Sequence, residues 1–441
     1  MKRITIAGLL LIGLGGCSLF GKGGDHHPKT PLLGDRISVL TAENGAEIDP
    51  GLADMAVAIP PAEANADWAQ PGGNAQKSMG HLALGKALAR AWSVGVHGNS
   101  PKARLASGPV VANGVIYVID TQAEVQAFDA GSGAVKWKLS LGVKGDGSDL
   151  VYGGGVSFAD GHLYATTGMG DVASIDAATG AVQWKVRPGG LLRGAPTVSN
   201  GQLYVISQDN QIFALSAADG KTIWNAAGAL ENSGIFGVAA PAVAQGTVVA
   251  GFSSGELNAY RYENGRAVWQ DALSRTSVTT AVASLSDIDA APLIDEGRVY
   301  AIGEGGRMVA MELVTGQRLW ELNIGGIATP WVAGDWLFVV TDQAKLLCIS
   351  KVSGKVRWIS QLPQWGKAKK KDRPISWVGP VLAGDRLILG SSRGMLINVS
   401  VVDGRIGSTT NIGSALSLQP IVANNTLYLL DDKGRLSAWR G

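Results

Sequence analysis

Short apolar runs alternate along this chain with tight polar turns, and the spacing is that of strands. One phrase recurs: an apolar strand, a turn, then a second apolar strand ending in Tyr or an aliphatic residue at an offset of eight. It begins at Pro109 (PVVANGVIY), Val156 (VSFADGHLY), Pro196 (PTVSNGQLY), Pro241 (PAVAQGTVV), Pro292 (PLIDEGRVY), Pro330 (PWVAGDWLF), Pro380 (PVLAGDRLI) and Pro420 (PIVANNTLY). A period of roughly 40 to 50 residues with strands and turns only predicts an all-β propeller, one blade per repeat.

Each copy continues alike. A third strand such as VQAFDA follows, then a turn closed by Gly, and four residues past that Gly a Trp: Trp137, Trp184, Trp224, Trp269, Trp320 and Trp358 behind Gly133, Gly180, Gly220, Gly265, Gly316 and Gly354. Gly supplies positive φ for the hairpin, and a Trp on the outermost strand is predicted to fill the wedge between blades, burying about 150 to 250 Å². The seventh copy keeps Asp403 and Gly404 but carries Ser408 in the Trp position. The eighth stops at LSAWRG, before any fourth strand, while an unpaired Trp-bearing stretch, ALARAWSVGV around Trp92, stands far upstream. The reading is an eight-bladed propeller closed by the Trp92 strand, which leaves no dangling sheet edge.

Composition adds the compartment. With 61 Gly and 17% charged residues the chain suits a turn-rich all-β array, and a net charge of +2, two of whose cations are Lys2 and Arg3, gives no electrostatic case for nucleic acid. Lys2 and Arg3 precede an apolar run from Ile4 to Leu14, too short to span a bilayer, and Leu14-Gly15-Gly16 leads directly into Cys17. This matches the lipobox of bacterial lipoproteins: residues 1–16 as signal peptide, Cys17 as the lipidated residue, with the signal of an ordinary secreted protein as the alternative. Residues 17–84, rich in Pro, Gly and Ala, read as a flexible tether, and 85–441 as the propeller. Cys348 is left without a disulfide partner and reads as a buried hydrophobe.

A lipobox, a tether and eight Trp-bearing repeats resemble the BamB family, outer-membrane lipoproteins of the β-barrel assembly machinery. Two segments carry the resemblance most specifically: LLRGAPT, Leu191 to Thr197, and SDIDAAP, Ser286 to Pro292. Both are similar to the stretches through which that family contacts BamA. The positions implied are Leu192, Arg193, Asp287 and Asp289, with Leu191 as an extra; the family pattern separates two leucines by one residue, whereas here Leu191 and Leu192 are adjacent, a departure at the first leucine. The resemblance also implies an outer-membrane location facing the periplasm and no cofactor. It implies partnership with the periplasmic POTRA region of BamA and with other assembly lipoproteins, and contact with unfolded outer-membrane proteins.

The residues support those positions on their own. Arg193 and Asp289 each stand three residues before the repeat Pro, so they belong on one rim of the propeller, two blades apart. Elsewhere that slot holds Ala106, Gly153, Val238, Ile327, Trp377 and Ser417, none charged. Two readings stay open: a leucine beside a charge on an exposed rim as a binding hot spot, or Arg193 and Asp289 pairing with each other.

The competing class is a quinone-cofactor oxidoreductase, since quinoprotein dehydrogenases use a similar Trp-bearing blade. Those enzymes resemble this repeat but are longer and carry an adjacent Cys pair and Ca²⁺ ligands. This chain has only Cys17 and Cys348, and its His81, His97 and His162 lack a nucleophile partner motif. GEGG at Gly303 to Gly306 lies in a hairpin without the following helix of a phosphate loop. A third reading is a general periplasmic binding propeller with another partner. Finally, GKAKKKDR, Gly366 to Arg373, reads as a solvated loop or as a contact for anionic head groups or an acidic partner.

Overall fold

Within each repeat the strands pair in the order they occur, because every connection inside a blade is a tight turn. In the third blade Thr197, Val198 and Ser199 face Tyr204, Leu203 and Gln202, and the intervening Asn200 and Gly201 have φ of 53° and 70°. That is the turn whose twist matches antiparallel strands and for which Asn-Gly is favoured. The computed structural model describes residues 46–142, 153–230, 239–273 and 287–441. They form eight four-stranded sheets and one two-stranded sheet. Cys17 and the leader lie outside the described residues, as do Val238 and Ser286.

The innermost strand is largely buried in each blade and three residues long in six of them, as in Val110–Ala112, whereas the outermost is more exposed, alternating in blade 1 between exposed and half-buried positions along Val135–Ser140. We name the strands of a blade A to D from the centre outward. The wedge between blades is filled by a repeated contact. The indole of Trp137 donates to the Ala177 carbonyl of the next blade, Trp184 to Ala217, Trp224 to Tyr262, Trp269 to Leu313, Trp320 to Lys351 and Trp358 to Val401. Each ring lies flat against the C–D turn glycine of that neighbour: a Cβ on Gly180 would come within 2.8 Å of Trp137, and one on Gly220 within 2.7 Å of Trp184. The glycine is therefore required twice, for positive φ and for the ring.

The last blade takes its D strand from the other end of the chain. Ala89–Gly95 pairs antiparallel with Arg435–Arg440, Ala89 opposite Arg440 and Gly95 opposite Arg435. Trp92 continues the series, donating to Ala130 and packing on Gly133 of blade 1. This also explains Ser408. Strands C and D of blade 8 are not joined by a turn, so an indole at 408 would have no glycine to lie on; Ser408 instead accepts a hydrogen bond of 2.7 Å from Asn398.

The flexible tether expected through residue 84 is corrected from residue 46 onward. The chain joins the propeller at blade 6, where the Asp49 amide donates to Val356 and Lys355 pairs with Asp49. From Asn65 to Leu82 it then crosses one end of the central channel and bonds to the A strands of all eight blades in ring order. Asn65 Nδ2 donates to Val422. Trp68 N donates to Val111, and Phe158 N to Ala69. Gln70 Nε2 donates to Val198. Val243 N donates to Ala75 and Ile294 N to Gln76. Trp331 Nε1 donates to Gly80, and Leu82 N to Leu382. A segment that changes partner every few residues has no period of its own, so its order left no mark on the sequence. Trp68 is 1% exposed and stacks with Trp331 at 6.1 Å. The same plug buries Lys77, whose Nζ donates to Thr197 Oγ1 and whose pKa desolvation pushes down to about 7.

Candidate functional site: the rim around Arg193

A four-stranded blade returns the chain to the opposite face from its A–B and C–D turns, so every D-to-A connection and every B–C turn lies on the face away from the plug. Residues 187–196 and 287–292 are D-to-A connections, and Gly303–Gly306 is the B–C turn of blade 5. The plug floors the channel, leaving a blind cup of about 310 Å³ between Trp68 and Pro71 below and Ala195, Asp289, Ala328 and Gln419 around it.

Leu191–Arg193 is held along the end of strand B of blade 3. Gln208 N donates to the Leu191 carbonyl at 2.7 Å, Arg193 N to Ile206 at 2.9 Å, and Gly154 N to the Arg193 carbonyl at 3.1 Å. This register turns consecutive side chains in opposite directions. Leu191 is 46% exposed, whereas Leu192 is fully buried against Val172, Val205 and Phe213. The expectation that Leu192 is an exposed contact residue is corrected: the accessible leucine is Leu191.

Residues 287–289 are pinned in the same way, by Ile288 N donating to Phe252 and Glu304 N to Asp287. Ile288 fills the space beside Gly251, where a Cβ would come within 2.5 Å of it. The carboxyls on either side are thereby drawn in: Asp287 is 1% exposed, and the side chain of Asp289 only 10%. Arg193 reaches across from blade 3, its guanidinium 3.6 Å from Asp289, with its own side chain 5% exposed. The reading of mutual pairing thus holds in the free chain. The picture of Arg193, Asp287 and Asp289 as exposed rim charges is corrected, because charges this close in a small cup are drawn to each other and shielded by the loops that carry them.

The structure adds two carboxylates. Glu304 belongs to the acidic group, since Asp287, Asp289 and Glu304 offer oxygens within 4.8 Å of one another. Asp342 lines an adjoining cavity of about 350 Å³ together with Glu304, Val340 and Trp377. One guanidinium therefore faces an excess of negative charge in a partly desolvated space. Burial, then repulsion from Asp287, pushes the Asp289 carboxyl up to about 7 against the opposing pull of Arg193. Burial and the neighbouring Asp289, Asp342 and Asp287 raise Glu304 to about 7. Desolvation raises Asp342 to about 6. For Arg193 desolvation outweighs the two aspartates and lowers the pKa. Glu304 was visible in the sequence only as the acid of GEGG, and no periodicity marks a B–C turn as adjacent to a D-to-A connection of the same blade.

Chemically the rim can share protons near neutrality and presents half-buried Glu304 and exposed Asp342, with an apolar side chain, Leu191, at its edge. Cys348 carries no activated thiol; it is buried and its pKa is raised by desolvation.

The sequence matches the family described as outer membrane protein assembly factor BamB over residues 82–153 and 121–360. Relatives of that description include the proteins of Moranella endobia, 26% identical over 55% of this chain and 60% of that one, and Salmonella typhimurium, 28% identical over 57% and 72%. The Escherichia coli K12 protein is 27% identical over 54% of this chain and 69% of its own. The chain thus spans about 60 to 72% of the length of these relatives. The crystal structure of BamB from Moraxella catarrhalis superposes with a TM-score of 0.66 at 20% identity, covering 80% of this chain and all of that one. A europium-containing methanol dehydrogenase superposes equally well, with a TM-score of 0.68 at 14% identity over 85% of this chain and 98% of its own. The fold alone is shared by both classes, and the sequence match separates them: this chain belongs to the outer membrane protein assembly factor BamB family.

Proposed function

We propose that this chain is a non-enzymatic scaffold subunit of the outer-membrane β-barrel assembly complex. In this reading Cys17 carries the lipid that holds it at the periplasmic face of the outer membrane. It binds the POTRA region of BamA and, with the other assembly lipoproteins, helps orient unfolded outer-membrane proteins for insertion. Family membership carries the reading. The geometry supports a docking face: the plug closes one end of the channel, so the opposite face presents the cup, the carboxylates and Leu191 together. Leu191 supplies an apolar anchor, and the buried Arg193–Asp289 pair fixes the loop that displays it. Arg193, Asp287, Asp289 and Leu192 then act by positioning Leu191, with the excess acidity selecting a basic partner surface.

The test is a mild-detergent pull-down of the tagged lipoprotein. BamA is expected to copurify, and Leu191→Asp to reduce its recovery roughly tenfold or more, as hot-spot truncations do, with melting unchanged because the side chain is 46% exposed. Absence of BamA from the wild-type eluate would remove the assembly reading. Full recovery with Leu191→Asp would move the contact to another surface.

A further inference from the structure

The basic stretch between blades 6 and 7 is an ordered arm. Trp365–Lys367 pairs with Asp372–Pro374, Trp365 opposite Pro374 and Lys367 opposite Asp372, and a turn of 3-10 helix, Ala368–Lys370, forms the tip. The root is fastened: Trp377 Nε1 donates to the Pro363 carbonyl at 2.9 Å, Ile375 N to Gln364 at 2.9 Å, and Leu362, Ile375 and Trp377 are buried. Everything beyond the root from Gly366 to Pro374 is exposed. Between Gly366 and Arg373 stand five cations and one carboxylate, a net +4, whereas the whole chain is only +2, so everything outside the arm sums to −2. Among the described residues the ion pairs of the arm amount to a loose contact of 3.9 Å between Lys367 and Asp372, and none engages Lys369, Lys370, Lys371 or Arg373.

We infer that this arm is a docking element for an anionic lipid surface. Its cations sit around the exposed tip of a short hairpin. Four of the five are lysines, compact point charges suited to a diffuse field of head groups more than to forked recognition of one carboxylate. Half-buried Trp365 stands at the base, an amphipathic ring of the kind that settles at a membrane interface. A single acyl chain plus a polybasic patch is the combination that makes membrane attachment stable; the arm supplies the patch and, in the proposed reading, Cys17 the chain.

The inference stands apart from BamA binding and is tested without BamA. The mature chain, beginning at residue 17 and carrying Cys17→Ala, and hence with neither leader nor acyl group, is sedimented with vesicles of phosphatidylcholine containing 30% phosphatidylglycerol, and with pure phosphatidylcholine vesicles. Binding is expected to the anionic vesicles only and to disappear in 0.5 M salt. Combined Lys369→Gln, Lys370→Gln and Lys371→Gln should cut the partition coefficient roughly a hundredfold, at about a factor of five per removed cation, with melting unchanged because these side chains are exposed. Equal binding to both vesicle types, or undiminished binding by the triple variant, overturns it. So does failure to bind anionic vesicles while the arm cross-links to an acidic protein.

Discussion

At the residue scale, the Trp-on-Gly contact separates two demands that a turn glycine can meet. Gly201 and Gly220 lie in the same blade with φ of 70° and 73°; a Cβ on Gly201 would meet nothing within 4 Å, whereas one on Gly220 would strike the Trp184 ring at 2.7 Å. Gly201→Ala is expected to lose only the left-handed backbone cost, about 1 kcal/mol. Gly220→Ala adds an overpacked blade junction and is expected to lose about 2 to 4 kcal/mol. Urea unfolding of the two variants decides, and equal losses would mean the junction yields at no cost. The acidic rim makes a second prediction. Asp289 and Glu304 have pKa values raised to about 7 in the folded chain, so the fold holds protons that the unfolded chain has already released. Their contribution is therefore present at about pH 4 and is lost as pH rises through 7. Glu304→Gln removes one of the repelling carboxylates. It should stabilise the protein at pH 8 by about 1 kcal/mol, a figure reduced for the solvent around Glu304, and have little effect at pH 5. Thermal melts of both proteins at the two pH values test it; a gain at pH 5 as large as at pH 8 would show that ionisation is not the cause.

At the element scale, two features hold the ring shut, and they differ in kind. The Ala89–Gly95 strand covers the edge of Arg435–Arg440 and carries Trp92 onto blade 1. The plug ties the inner ends of all eight blades without covering any outer edge. A chain beginning at Gly85 loses the plug and keeps the strand. It is expected to stay monomeric with a lower melting temperature, since Trp68, Leu82 and the polar contacts are lost. A chain beginning at Gly98 also exposes a strand edge and is expected to aggregate. Light scattering after size exclusion, with a melt of each, distinguishes them. A Gly98 chain that remained monomeric and melted like the Gly85 chain would show that the strand is dispensable for closure.

At the scale of the whole molecule, the repeat was legible because each blade solves the same local problem with the same residues. Hairpin glycines, alternating strands and a Trp at fixed spacing are short-range requirements, and they specified eight blades, their boundaries and the donation of the Trp92 strand. Arg193 and Asp289 were legible as exceptions, charges in a slot the other repeats leave uncharged. Their burial was not, because it depends on two loops from blades 3 and 5 meeting over a cup whose floor is supplied by residues 65–82. The same holds for Leu191 and Leu192, adjacent in the chain and opposite in exposure because one backbone register along strand B of blade 3 decides which faces the core. Glu304 and Asp342 joined the rim only through the ring. Local sequence determined the blade and its repetition, since those rest on contacts a few residues apart. The plug, the pairing of Arg193 with Asp289 and the raised carboxyl pKa values were decided by closure, which brings together groups that are far apart in the chain and removes them from water.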